Sequence, residues 1–268
     1  MSQITILLLY LLAAIAFAMS RLPRFADQSR PYIIVAFLFA AIGIVLHVQD
    51  LVEFTLSAGG FNLSIGNVAS MIGAELALIA LIAAFEPPMR GMSAGMLVLS
   101  AITVLSLGAS TDTGGAVTML WQVRAHVLIA LLSYGLLTVG AIVALFAVIQ
   151  ERRLQAAKIT PINQLFAPME TTEKLHIGIA AAGFAGLTLA IASGLSFVND
   201  LIEQHLAHKL GLSLIAWIIF GTLLAGRFFA GWRGKRAVTL YLWGFAALCL
   251  AYFGSRFILE EILNRSWG

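Results

Sequence analysis

The feature that most restricts this chain is a series of eight apolar stretches, each close to the length of a helix that crosses a bilayer. They run over about 4–19, 32–48, 65–85, 92–107, 126–149, 175–198, 210–224 and 237–257. A hydrocarbon layer about 30 Å thick takes roughly 20 mostly apolar residues in helical form, because lipid offers no partner to an open backbone. With 60% hydrophobic and only 11% charged residues in 268, an ordinary soluble globule is excluded. The sequence therefore predicts an all-α integral membrane protein, a single polytopic bundle of eight transmembrane helices over residues 1–268, with the lipid bilayer as its first partner.

Charge placement gives an expected orientation. No basic residue precedes the first stretch, and Arg21 and Arg24 follow it, which is the charge order of an anchor with its N-terminus outside rather than of a cleaved leader. Loops after the first, third, fifth and seventh stretches hold twelve lysines and arginines, whereas the other side holds four, Arg124, Lys209, Arg256 and Arg265. Cytoplasmic loops are enriched in these residues, so both termini are expected outside. The basic excess, a net charge of +3, is thus read as a topology signal. No basic run interleaved with aromatics lies in a water-soluble segment, so nucleic acid is not an expected partner. The single cysteine, Cys249, sits in an apolar run, which excludes a disulfide framework, a CxxC pair and a cysteine metal site. The longest connection, 151–174, contains Pro161 and Pro168 and is too short to fold alone.

Ionisable groups at membrane depth are costly, so they are the natural functional candidates. His47 lies near the outer end of the second stretch, His126 at the outer start of the fifth, and His205 and His208 just before the seventh. His176 opens the sixth stretch on the inner side, beside Glu173 and Lys174, and reads as a helix-end residue at headgroup level. His126, Ser133 and Gly140 recur every seven residues and share one stripe, which turns His126 inward rather than toward lipid. A neutral imidazole there suits a haem iron. The plain alternative is a buried histidine that donates to a backbone carbonyl and ties two helices together. Glu75 is the one carboxylate near the middle of a span, open to reading as a proton or cation relay or as a protonated packing residue. The sixth stretch carries Gly178, Ala182, Gly186, Ala190 and Gly194 in an i+4 row that admits a close helix neighbour. No HExxH, paired aspartates or Ser/His/Asp set appears, so an enzyme is not expected.

The run from Trp121 to Phe146, WQVRAHVLIALLSYGLLTVGAIVALF, resembles the histidine-bearing helix of the cytochrome c assembly protein family. HIGIAAAGFAGLTLAIASGL resembles that family's next helix, and AWIIFGTLLAGRFFAGWRGKRAV with LAYFGSRFI resembles its last two helices and their loop. FNLSIGNV, Phe61 to Val68, extends the likeness into the first half, and the HemX-like branch is the nearest part of the family. The resemblance implies a haem-handling protein of the bacterial inner membrane, linked to cytochrome c-type biogenesis. Family members present haem on the outer face with a tryptophan-rich WWD segment flanked by two histidines.

Carried over, His126 matches the first flanking histidine and is the implied haem-iron ligand; His47, also placed near the outer leaflet, is its expected partner at the iron with His208 in reserve, and the cofactor-binding set is His126, His47, His208 and Trp121. The chain also departs from the pattern. The segment 196–209, SFVNDLIEQHLAHK, has no tryptophan, no histidine follows Gly254, and the histidine of the seventh helix is replaced within Leu224 to Gly226. These departures motivate a second reading: a non-haem accessory or regulatory subunit of another membrane protein, such as an ion transporter or a tetrapyrrole-synthesis component. A third, a small ion-coupled transporter built on Glu75, lacks the broken helices such proteins use.

Overall fold

A computed structural model describes residues 2–57, 60–62, 64–108, 121–156, 165, 168–197 and 207–254. Most of these residues are helical; the rest form one two-residue ladder and the turns between helices. The helices are α1 Ser2–Met19, α2 Ser29–Thr55, α3 Ile65–Ala83, α4 Arg90–Val104, α5 Trp121–Gln155, α6 Met169–Phe197, α7 Ala207–Ala230 and α8 Lys235–Cys249. Five apolar segments are long enough to cross a membrane: Pro23–Thr55, Ile65–Ala83, Trp121–Gln155, Met169–Ser196 and Leu210–Ala230. Helix α1 is apolar and falls just short of that length, and α4 and α8 have 15 residues each.

Several helices outrun their apolar cores. Helix α5 begins at Trp121 and reaches Gln155, placing Arg152 and Arg153 in its last turn, where cations favour the partial negative charge of the C-terminus. Helix α6 begins at Met169 with Glu170 in its first turn, the matching arrangement at an N-terminus. Hydropathy marks only the lipid-embedded part of such a helix, so its charged ends are invisible to it. At the other extreme, α8 stops at Cys249 and the chain continues as a wide π turn, Leu250–Gly254.

The chain divides into two compact units, residues 1–116 with 145–172, and residues 117–144 with 173–268. In the first, α1 and α3 each pack against both α2 and α4. The contacts depend on small residues: a Cβ on Gly43 would press into the Tyr10 ring at 2.8 Å, and one on Gly73 would overlap Thr103. Ile6, Tyr10, Phe17, Met96 and Leu97 fill the core. After α2 the strands β1 (Leu56–Ser57) and β2 (Gly60–Phe61) pair antiparallel, Leu56 opposite Phe61. Ser64 then caps α3 by accepting from the Asn67 N–H at 3.3 Å. Asn67 ties the adjoining turns. Its Nδ2 donates to Phe54 O at 3.3 Å and Asn62 O at 3.1 Å, and its Oδ1 accepts from the Gly108 N–H at 3.1 Å. Gly108 has φ +69°, a left-handed conformation that a side chain would strain.

In the second unit, α5 lies against α6 and α8. A Cβ on Gly183 would meet Leu137, and one on Gly186 would meet Ser133, whose hydroxyl donates to Gly183 O at 2.8 Å. Gly140 faces the Tyr241 hydroxyl, which donates to Leu137 O at 2.9 Å. Helices α7 and α8 form a hairpin: a Cβ on Gly244 would stand 3.2 Å from Ile219 and Phe220, and the connection turns through Gly231 (φ +65°) and Gly234 (φ +58°). The small-residue row of α6 is used only in part. Gly186 and Gly194 contact α5 side chains and Ala190 is buried, whereas Gly178 has open space where a Cβ would sit.

Candidate functional site

His126 sits in the second turn of α5 with its ring laid on the backbone of α6. Its Nδ1 lies 3.0 Å from Ser193 Oγ, and that hydroxyl lies 3.0 Å from Ala190 O. The Ala190 carbonyl also faces the ring. A Cβ on Gly194 would stand 3.1 Å from His126 Cε1, so the glycine gives the ring its seat. The ring is half-buried, and among the described residues Nε2 takes part in no hydrogen bond. Metal-ligating histidines have this form, one nitrogen tied back to the protein and the other free.

His47 has a different environment. It is completely buried in the first unit, its Nδ1 3.1 Å from the Tyr10 hydroxyl and its Nε2 2.8 Å from Ser70 Oγ. The Tyr10 ring also meets it edge-on with centroids 5.8 Å apart. Both nitrogens are occupied, and one side chain joins α1, α2 and α3. The sequence reading pairs His47 with His126; the structure gives His47 a full set of partners within its own unit.

The remaining candidates are scattered. Trp121 is the first residue of α5 and is 72% exposed. His208 lies in the first turn of α7, but its side chain falls outside the described residues, as does all of His205. His176, expected at headgroup level, is instead buried, with its ring 4.6 Å from that of Tyr241 and its Nε2 unpartnered among the described residues. The reason is that α6 starts at Met169, so His176 lies two turns inside the helix. Glu75 is half-buried on α3, with no hydrogen bond or ion pair among the described residues. Among those residues, no three His, Cys, Asp or Glu side chains come together as metal ligands would.

Sequence reasoning missed Ser193, Tyr10 and Ser70, the hydroxyls that hold the two histidines. The available signal was slight: Ser193 precedes Gly194 inside the HIGIAAAGFAGLTLAIASGL run.

The profile of the Cytochrome C assembly protein family matches residues 46–263. An inner membrane protein of Escherichia coli strain K12, YpjD, is 29% identical over 264 residues, covering 94% of this chain and 98% of its own. A 28.8 kDa protein from the nifR3-like 5′ region of Azospirillum brasilense is 29% identical over 143 residues, 52% of each chain. The cytochrome c biogenesis protein CcsA of Gloeobacter violaceus is 30% identical over 100 residues, 37% of this chain and 30% of its own. No solved structure matches. With its apolar helices, the chain is a multi-pass protein of the bacterial inner membrane. By a match that spans most of its length and includes every element of the second unit, it belongs to the cytochrome c assembly protein family.

Proposed function

We propose that this chain binds haem, with His126 Nε2 as the nitrogen that would hold the iron, and handles it for cytochrome maturation without itself acting as an enzyme. The observation that carries the reading is the geometry of His126. Its Nδ1 is anchored to Ser193, its Nε2 is uncommitted, and it stands in the run matched by the family. The partial likeness to CcsA, a cytochrome c biogenesis protein, supports the same direction. Bound haem would supply a redox-active iron; the protein's part is to hold and orient the macrocycle through one imidazole. In the proposed topology all eight helices span and both termini lie outside, so His126 is offered near the outer face. His47, with both nitrogens engaged, serves in this reading to tie helices rather than to ligate.

The test is an absorption spectrum, oxidised and reduced, of the detergent-purified protein from haem-replete cells. A Soret band that shifts on reduction and disappears in His126→Ala is the expected result. A bare spectrum that stays bare after hemin is added ends the haem reading. It would favour the accessory-subunit role, whose supporting observation is the absence of tryptophan from residues 196–209. That role predicts a stoichiometric membrane partner in the purified material.

A further inference from the structure

We infer that Ser193 is a positioning residue that fixes the ring tautomer of His126 and so decides which imidazole nitrogen is free to bind a metal. The functional meaning of this rests on the haem reading above; the tautomer itself does not.

The argument counts protons. A serine hydroxyl has one hydrogen to give and two lone pairs. Ser193 Oγ lies 3.0 Å from Ala190 O and 3.0 Å from His126 Nδ1. A carbonyl oxygen can only accept, so the hydroxyl proton is directed along α6 to Ala190, three residues back, a common bond for a helical serine. Only lone pairs then remain on the side facing the ring. Nδ1 must therefore carry the hydrogen of that contact. A neutral imidazole has a single N–H, so Nε2 keeps its lone pair and is the nitrogen available to iron. The opposite tautomer would turn the serine proton toward the ring and break the Ser193–Ala190 bond, leaving two oxygens 3.0 Å apart with no proton between them.

His47 shows what the arrangement at His126 adds. There a hydroxyl stands on each nitrogen, Tyr10 on Nδ1 and Ser70 on Nε2, so either tautomer is satisfied and neither nitrogen is left over. At His126 the single hydroxyl is already committed as a donor elsewhere. Gly194, the next residue, completes the seat, because a Cβ there would crowd Cε1 at 3.1 Å. One short stretch of α6 thus supplies the proton acceptor for Nδ1 and the space for the ring.

The experiment uses the full chain in detergent, without haem, carrying histidine labelled with nitrogen-15 in the ring. The His126 resonances are identified by their loss in His126→Gln. Nitrogen shifts are expected to show a protonated Nδ1 and a bare Nε2 in the wild type. Ser193→Ala should move population toward the Nε2–H form, with the Ala190 carbonyl that also faces the ring holding back part of the shift, and Ser193→Thr, which keeps the hydroxyl, should restore the wild-type shifts.

A hemin titration of the same variants supplies the second readout. Ser193→Ala should weaken uptake roughly tenfold or more, the usual cost of removing a partner behind a ligating histidine, and Ser193→Thr should recover it. A wild-type ring protonated on Nε2 overturns the inference, as does a Ser193→Ala chain that matches wild type in both shifts and titration. A wild-type chain that is protonated on Nδ1 yet takes up no hemin upholds the tautomer assignment and removes the haem reading, so the two failures are distinguishable.

Discussion

Arg227 and Glu173 meet at 2.7 Å where α7 ends and α6 begins, their side chains only 16% and 29% exposed. Arg227 also donates to Trp232 O at 3.2 Å, which ties the ion pair to the turn that follows α7. Arg233, 71% exposed, approaches the same carboxylate only to 3.8 Å and makes a poor substitute. Removing one member leaves the other charge shielded without its partner. Arg227→Leu or Glu173→Leu should each cost about 1–3 kcal/mol, and the double variant less than their sum. Thermal unfolding in detergent, run as a double-mutant cycle, reads the coupling; strict additivity would show that the pair contributes nothing.

The histidine of the first unit should behave as a structural joint. His47→Ala strands the Tyr10 hydroxyl and the Ser70 hydroxyl in a buried site, at about 2–4 kcal/mol for two unsatisfied groups. The haem spectrum, normalised to monodisperse protein, should not change. If haem is lost from a variant that stays monodisperse, His47 belongs to the ligand set after all.

Tyr241 and Gly140 allow a comparison of two small changes at one contact. Tyr241→Phe deletes a hydroxyl bonded to a helical carbonyl and should cost about 1 kcal/mol. Gly140→Ala places a methyl group where that hydroxyl now lies, so it must displace the Tyr241 ring and should cost more. Combining the two changes should recover part of the loss, because phenylalanine vacates the space. Melting temperatures of the three variants decide the order.

Asn67 makes three side-chain hydrogen bonds that join the end of α2, the start of α3 and the turn after α4. Asn67→Leu should open these connections together. Limited proteolysis should then cut near Gly108 in the variant at protease levels that spare the wild type. Equal cleavage of both would mean that packing alone holds the turn.

The amino-acid order carried much of this architecture and rather less of the site. The apolar stretches located all eight helices, because an apolar helix leaves a long, uninterrupted signal. Their ends were misjudged where charged turns extend beyond the hydrocarbon, and this is why His176 seemed to be at a helix end and is two turns inside. The seven-residue stripe of His126, Ser133 and Gly140 does face α6 and α8 through contacts with Ser193, Gly183 and Tyr241. Helical periodicity alone was sufficient there. What periodicity could not supply was the partner on another helix. Nothing local to His47 distinguishes it from His126; the difference lies in Tyr10 and Ser70, which are 37 and 23 residues away.

The α7–α8 connection bears on how the last two helices depend on each other. Helix α8 has 15 residues, about 22 Å of regular helix before the π turn, and it opens with Lys235 and Arg236. Two left-handed glycines and the Trp232 N–H bonded to Gly226 O at 3.0 Å reverse the chain within a few residues. This short reversal holds α8 directly against the longer, more apolar α7. The two then act as one helical hairpin, in which α7 offers most of the apolar surface and α8 depends on it as a companion.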